Sequence, residues 1–474
     1  MSGTGDGSSA GVISFDSLRE HNRPGLLLQN GHVVIGWASH CDNGPYHGWI
    51  MSYNSSTLAQ EAVWNSTPNG GLGGVWMSGA GLSGDSSLNT YFATGNGTYD
   101  GNPDFGDTIM KLGPPNNGAF PVSDWFTPYN QGSLSQYDTD LGSGGVLLVP
   151  DQPAGSPHQH LLIQAGKEGA IYLVDRDNMG RFNPFNNYQI VQSLPGALTG
   201  MWGLTAWWNN QIYVAGTGDL GKPGGNLQAY AFNPSTGTLS TSPTSQSSTL
   251  FTFPGPTPTV SASGSSNGIV WVIQVNQFNG PLKAALHAYD ATNLATELYN
   301  SQQNPSWDNP GPAIKFSVPT VVNGKVYVGT QTQLSVYGQL SFTGMSPIRV
   351  SSGGTAYTDS LGQAWSADTG FSGGSTYSVT SAIANTSDPT LYQNERWGSF
   401  SYSFPVPAGT YAVTLKFAET SFTAAGQRIF NVAIKGTAVL SNAFQFSSTG
   451  NITIQFIPGS ADQPKVDVIQ ITTL

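Results

Sequence analysis

The sequence predicts an all-β chain in which a β-propeller is followed by a β-sandwich. Only 9% of the 474 residues are Asp, Glu, Lys or Arg, whereas Gly (60) and Pro (30) are abundant. Turn formers in place of helix formers favour β structure. A unit of two short apolar runs separated by a turn recurs about six times, at a spacing of roughly 50–60 residues. Beyond the last unit, a different pattern of alternating runs continues to the C-terminus.

Each repeat unit contains two strand-like runs that alternate apolar and polar residues and are separated by Gly, Asn or Asp turns, as in β-hairpins. Strand-rich repeats of this length are typical of four-stranded propeller blades. We therefore assign residues 1–341 to a propeller of about six blades. The six pairs of runs are HVVIGWAS with WIMSYN, TYFATG with TIMKL, HLLIQAG with AIYLVDRD, QIYVAGTG with LQAYAFN, IVWVIQ with LHAYDATN, and KVYVGT with LSVYG.

Residues 342–474 show a second pattern, with Gly-rich turns between alternating strands. This pattern predicts a compact antiparallel β-sandwich. The predicted strands are SFSYSFPV, TYAVTLKFAE, RIFNVAIKG, ITIQFI and VDVIQI.

Charge and cysteine usage narrow the function classes. The net charge of −11 argues against a nucleic-acid partner, because phosphate binding needs clustered Lys and Arg. The single Cys41 excludes an intrachain disulfide, and we expect it to be a buried or partly buried, inert thiol. No run is long enough to span a membrane. The composition predicts an extracellular or periplasmic protein, although Met1–Ala10 lacks the apolar core of a signal peptide.

The C-terminal segment carries several specific motifs. They are GGTAYTDSLGQAWSADTGFSGGSTY, LYQNERWGSFSYSFPVPAGTYAVTLKFAE, GQRIFNVAIKG and PKVDVIQI. Together they resemble the malectin family over nearly all of residues 348–474. The resemblance implies a jelly-roll-like sandwich that binds carbohydrate, often α-glucosides.

The resemblance also implies the positions that contact the glycan. An aromatic ring packs on the C–H face of a pyranose, and a carboxylate accepts hydrogen bonds from its hydroxyls. The implied carbohydrate-binding residues are Tyr377, Trp397, Phe422 and Asp462.

Two departures from the malectin pattern concern this site. Ser421 stands where the family often has a second aromatic residue. The stretch between Val439 and Ile452 is shorter than usual, which predicts that a strand or loop is missing. We expect Glu395 and Arg396 to form a structural ion pair rather than part of the site.

The repeat region carries motifs of its own: GGVW, TYFATGNGTYD, YDTDLGSGGVLL and AGKEGAIYLVDRD. Over residues 12–340 the sequence resembles quinoprotein-like propellers, and at these motifs it is similar to the quinoprotein alcohol dehydrogenases. The resemblance implies pyrroloquinoline quinone and calcium as cofactors. The implied residues are Trp76 beneath the quinone, Lys167 in contact with it, Asn96 and either Asp42 or Asn43 on calcium, and Asp138 (alternatively Asp140) as the catalytic base.

These residue types suit the chemistry that the resemblance implies. Calcium takes oxygen ligands and polarises a quinone carbonyl, and a carboxylate removes the proton of a substrate hydroxyl. The departures are equally specific. One cysteine forbids the vicinal disulfide common in those dehydrogenases, and their calcium-ligating Glu is replaced by Asp or Asn. The dehydrogenase propeller has eight blades, some of them upstream of the position matching Gly3. The roughly six blades here must therefore close as a smaller ring, borrow strands from elsewhere, or leave open sheet edges that invite pairing with another chain.

Three function classes follow from the sequence. We favour a secreted or cell-surface carbohydrate-binding protein, in which the malectin-like domain binds glycan and the propeller is a scaffold or a second binding face. The second class is a sugar or alcohol dehydrogenase dependent on pyrroloquinoline quinone and calcium. The third is a structural protein that self-associates through open propeller edges. Resemblance of fold does not by itself confer enzyme activity.

Overall fold

The chain is all-β, as predicted. The computed structural model describes residues 1–219, 221–276, 283–305, 308–338, 345–407, 409–439, 443–448 and 451–473. The chain divides into two compact units, Met1–Gly338 and Gln339–Leu474. Helical structure in these described ranges is confined to short segments, namely α1 (Gln131–Gln136) and 3-10 turns at Leu141–Ser143, Ser301–Gln303 and Pro389–Tyr392.

The first unit is built from short strands in chain order. They are β1 (Glu20–His21), β2 (Leu27–Gln29), β3 (His32–Ser39), β4 (Trp49–Asn54), β5 (Gln60–Asn65), β6 (Ser83–Gly84), β7 (Thr90–Ala93), β8 (Ile109–Leu112), β9 (Gly118–Ala119), β10 (Val122–Thr127), β11 (Val146–Leu148), β12 (Leu161–Ala165), β13 (Ile171–Asp175), β14 (Arg181–Phe182), β15 (Gln192–Leu194), β16 (Ala206–Trp208), β17 (Gln211–Thr217), β18 (Gly224–Asn233), β19 (Thr238–Leu239), β20 (Ser245–Phe251), β21 (Thr259–Ser263), β22 (Ser266–Gln274), β23 (Ala285–Asp290), β24 (Glu297–Asn300), β25 (Thr320–Val322), β26 (Lys325–Gly329) and β27 (Leu334–Gly338).

These strands form six sheets. The first contains β1–β5 and β9, the second β6–β8, β10 and β14, the third β11–β13 and β15, the fourth β16–β20, the fifth β21–β24 and the sixth β25–β27. All six predicted hairpins are present as antiparallel pairs, one in each sheet. Most of these sheets do not have the four strands expected for a propeller blade. One reason is that β9 and β14 join the first and second sheets through parallel pairs.

Consecutive sheets of the first unit pack face to face through apolar residues. The rings of Trp64 and Phe92 lie 5.4 Å apart between the first and second sheets. Those of Phe126 and Tyr172 lie 5.3 Å apart between the second and third. Buried clusters also join the third sheet to the fourth, the fourth to the fifth, and the fifth to the sixth. This packing suits blade-like units, while the closed propeller itself stays a prediction.

The second unit has twelve strands among its described residues. They are β28 (Ile348–Ser351), β29 (Tyr357–Thr358), β30 (Ala364–Trp365), β31 (Phe371–Ser378), β32 (Asn394–Phe404), β33 (Gly409–Lys416), β34 (Ile429–Ile434), β35 (Thr437–Val439), β36 (Ala443–Ser448), β37 (Ile452–Ala461), β38 (Lys465–Val466) and β39 (Val468–Thr473).

Two sheets of the second unit form the predicted sandwich. One has the order β28-β39-β33-β36, and the other has the order β31-β32-β37-β34-β35 with β38 beside β32. Tyr411 and Val413 of the first sheet share a buried core with Tyr402 and Phe456 of the second. The short stretch before Ile452 holds β36, which pairs with β33.

Candidate functional site

Two aromatic side chains lie side by side on the β31–β32 hairpin of the second unit. Tyr377 pairs with Glu395, and Ser375 pairs with Trp397. Cross-strand partners share a face, so the two rings occupy diagonal positions whose Cα atoms are about 7–8 Å apart. The rings remain 48% and 39% exposed. Sequence reasoning named both residues, and strand register explains how they come together.

A buried ion pair lies on the same face of the sheet as the aromatic rings. Glu395, opposite Tyr377, accepts from the ammonium group of Lys465, which is opposite Trp397. The two charged residues are only 4% and 2% exposed. The hydroxyl of Thr420 also donates to Glu395 Oε2 at 3.3 Å. The exposed aromatic pair therefore shares one face of the sheet with the buried Glu395–Lys465 pair. The sequence did not predict this ion pair.

The expected ion pair between Glu395 and Arg396 is absent, and that prediction was wrong. Neighbouring residues of a strand point to opposite faces. Glu395 pairs with Lys465, whereas Arg396 donates to Asp368 on the other face, at 2.7 and 2.9 Å. Side chains alternate between the two faces of a strand, so the positions of Glu395 and Arg396 in the sequence could have corrected the prediction.

Phe422 and Asp462 belong to a second group of side chains, arranged around Arg428. The guanidinium group of Arg428 lies 5.1 Å from the centre of the Phe422 ring and 2.8 Å from Asp462 Oδ2. It also lies 2.8 Å from Glu419 Oε2. Asp462 is thus a member of an ion-pair network with a partly exposed carboxylate. The segment 418–422 connects the two groups, because the backbone oxygen of Ala418 accepts from Lys465.

In the first unit, the structure brings together four residues of the predicted redox site. Lys167 Nζ lies 2.7 Å from Asp140 Oδ2 and 3.1 Å from Asp138 Oδ1. The side-chain amide of Asn96 donates to Asp138 at 3.4 Å, and its backbone N–H donates to Asp140 at 2.7 Å. Asp138 and Lys167 line a cavity of about 420 Å³.

The charges around Lys167 favour its protonated, positively charged form. Burial alone would lower the pKa of Lys167, but the carboxylates of Asp140 and Asp138 outweigh that effect and raise it. Burial and the charge of Asp140 raise the pKa of Asp138. The same two causes raise the pKa of the neighbouring, fully buried Asp107 well above its usual range.

Tyr46 contacts both Trp76 and Asp42. The Tyr46 hydroxyl donates to Asp42 at 3.0 Å, and its ring meets Trp76 edge-on at 6.0 Å. Trp76 is only 7% exposed, and the guanidinium of Arg23 lies 5.3 Å from the centre of its ring. Asn43 is exposed in the turn beside Asp42.

The described side chains do not form a ready-made calcium site. Calcium takes about six to eight oxygen ligands. The described part of the chain contains no group of three or more His, Cys, Asp or Glu positioned to hold a metal ion. Lys167 already occupies the position between Asp138 and Asp140, and Trp76 presents little open ring face for stacking. We therefore derive no redox step, and the cofactors stay a prediction.

Cys41 differs from the prediction of a buried thiol, because it is exposed. It occupies a turn in which Cys41 and Asp42 both have left-handed backbone angles, with φ of +57° and +55°. Separately, none of the helices in the described ranges has the length and apolarity of a membrane span.

Comparison with known proteins identifies part of the second unit. Residues 346–445 match the model of the malectin domain. Malectin-B of Xenopus laevis is 32% identical over 90 residues, covering 18% of this chain and 33% of that protein. Human malectin is 33% identical over 90 residues, covering 18% of this chain and 31% of that protein. The chain therefore spans about a third of the length of these curated relatives.

Among solved structures, the ANX2 ectodomain from Arabidopsis thaliana aligns with 26% of this chain and 48% of its own, at 15% identity and a TM-score of 0.24. The family match covers the β31–β32 hairpin with Tyr377 and Trp397, and it ends before Asp462. Residues 346–445 of this chain are therefore similar to the malectin domain.

Proposed function

We propose that this chain is an extracellular or periplasmic carbohydrate-binding protein whose second unit holds the glycan. One observation carries the proposal: Tyr377 and Trp397 are exposed side by side above the buried Glu395–Lys465 pair. Paired aromatic rings with nearby fixed polar groups suit the C–H faces and hydroxyls of a pyranose. Because the malectin resemblance implies α-glucosides, the maltose-series oligosaccharides are the first ligands to test.

Replacing the exposed indole tests this proposal. Trp397→Ala in the full chain should weaken oligosaccharide binding about tenfold or more, because loss of one stacked ring at a binding hot spot costs about 2 kcal/mol. Isothermal titration against maltose-series oligosaccharides measures the effect. Leu361→Ala is the matched control, since Leu361 is 79% exposed and lies outside the hairpin. Equal affinity of both variants would contradict the proposal.

A redox role of the first unit is a second, separate proposal. Its support is the cluster of Asn96, Asp138 and Lys167 beside the cavity of about 420 Å³. Titration with pyrroloquinoline quinone plus calcium should raise the melting temperature saturably if the role is real. Asp138→Asn should then abolish calcium-dependent dye reduction. No response at excess cofactor would remove the proposal.

Self-association through sheet edges stays a prediction. The feature that would support it is β27 of the sixth sheet, where Leu334 and Val336 are 65% and 52% exposed. Size-exclusion chromatography of the wild-type chain and of Leu334→Lys decides it. A single monomeric species for both would argue against assembly at this strand.

A further inference from the structure

A cleft of about 540 Å³ lies on the first unit, separate from the cluster around Lys167. One wall of the cleft is formed by a segment that leaves the third sheet and returns to it, called here the excursion. After β13 the chain leaves the third sheet, places β14 parallel to β10 of the second sheet, and returns to the third sheet as β15. Residues 185–188, Ile190 and Val191 of this excursion form one side of the cleft, and Tyr129, which follows β10, forms another.

Three aromatic rings that line the cleft are open to solvent. Phe185 is 84% exposed, Tyr188 is 90% exposed and Tyr129 is 49% exposed. Apolar surface stabilises a fold when it is removed from water, so the exposed parts of these rings contribute nothing to the folding free energy of the chain. A cluster of exposed apolar side chains rimmed by polar residues is typical of a binding site.

Hydrogen bonds fix the backbone that carries these rings. Asn186 Oδ1 accepts from the backbone N–H of Tyr188, and Asn187 Oδ1 accepts from that of Tyr129, both at 3.0 Å. Asn183 also donates to Asn186 Oδ1 at 3.0 Å. The asparagine-rich turn thus fixes the backbone beneath the aromatic side chains and ties both walls together. Such preorganisation lowers the entropy that a ligand must offset on binding.

Glu168 supplies a fixed acceptor in the same cleft. Its Oε1 accepts from Asn130 Nδ2 and its Oε2 accepts from the Tyr172 hydroxyl, both at 2.6 Å. Each carboxylate oxygen keeps a further lone pair for a ligand hydroxyl. Gln192 and Ser193 also line the cleft and add neutral donors and acceptors. The lining therefore combines aromatic faces with oriented polar groups.

Charge restricts the kind of ligand. Among the described residues that line the cleft there is one acid, Glu168, and no Lys, Arg or His. The whole chain carries a net charge of −11. An anionic ligand would meet only repulsion here, whereas an uncharged ligand with apolar faces and hydroxyl groups satisfies both parts of the lining.

We propose that this cleft binds a neutral oligosaccharide and is a second glycan site, on the first unit. The ligand class is shared with the function proposed for the second unit, but the residues are independent of it. A chain with two such sites binds a polymeric glycan more tightly than either site alone, provided that the glycan reaches both.

The experiment uses the full chain with Trp397→Ala, which weakens the site on the second unit. Maltohexaose, cellohexaose and xylohexaose are the neutral probes in isothermal titration, and a sulfated hexasaccharide is the charged comparison. At least one neutral probe should still bind. Adding Phe185→Ala and Tyr188→Ala should weaken that binding tenfold or more, whereas adding Leu18→Ala, a residue 86% exposed, should not.

Three results would contradict the proposal of a second glycan site. They are no binding of any neutral probe to the Trp397→Ala chain, unchanged binding after Phe185→Ala and Tyr188→Ala, or preferred binding of the sulfated probe. If the wild-type chain binds a neutral probe and the Trp397→Ala chain binds none, the second site is contradicted but the glycan site proposed on the second unit is not. Equal melting temperatures of the variants show that a loss of binding is not a loss of folding.

Discussion

The carboxylate of Asp467 shows how one buried residue links pH to the stability of the second unit. It is fully buried, accepts from the backbone N–H of Ala418 at 2.8 Å, and lies 3.4 Å from Lys465 Nζ. Burial raises the pKa of Asp467 to about 7, and the charge of Lys465 opposes that rise. The lysine is shared with Glu395, so one ammonium faces two buried carboxylates.

We predict that the second unit loses stability as pH rises from about 4 to about 7. An Asp side chain in an unfolded chain has a pKa of about 3.9. The folded state, with the higher pKa, prefers the protonated acid, so this stability is fully present below about pH 4 and is lost as pH passes through about 7. Calorimetry of the full chain across this range should show the falling melting temperature.

Asp467→Asn should flatten that pH profile, because the amide keeps an acceptor for Ala418 and does not ionise. Asp177→Asn is the control, since its carboxylate is 59% exposed on the first unit. An unchanged pH profile in Asp467→Asn would show that another group controls the transition.

At the scale of the element, β32 divides its functions between two faces. Glu395 and Trp397 face outward with Tyr377, while Arg396 points the other way and is 5% exposed. Arg396 donates twice to Asp368 and also to the backbone oxygen of Gly373 at 2.9 Å. One face of the strand therefore presents the candidate glycan site, and the other anchors β31 and the segment that carries Asp368.

Arg396→Ala should cost about 3–5 kcal/mol in the free energy of unfolding, because it leaves the largely buried carboxylate of Asp368 without its charged partner. Urea denaturation of the full chain measures this cost. Trp397→Ala, one residue along the same strand, should change the free energy of unfolding by much less, since the indole is 39% exposed. Equal costs would contradict the division of the strand into two faces.

The sequence predicted local elements better than long-range ones. Alternating runs identified all six hairpins of the first unit, since a hairpin depends on residues close in sequence. The cleft around Phe185 was not predicted, because it exists only through the pairing of β14 with β10, which are far apart along the chain. Arg428 was also not predicted, because its contact with Asp462 joins residues that are far apart along the chain.

At the scale of the whole molecule, two units carry two candidate glycan sites of similar chemistry. Tyr377 and Trp397 of the second unit, and Phe185 and Tyr188 of the first, are exposed rings beside fixed carboxylates. The remaining surface carries few charges, which suits uncharged ligands. We propose that the second unit binds carbohydrate, and the site on the first unit extends this function.

Fluorine NMR of the chain labelled with 5-fluorotryptophan tests that claim most directly. The chain has 12 tryptophans, and the resonance that disappears in Trp397→Phe identifies Trp397. Titration with a maltose-series oligosaccharide should shift this resonance saturably, because the sugar would cover the exposed indole. Saturable binding of the sugar without any shift at Trp397, or no binding at all, would contradict the account.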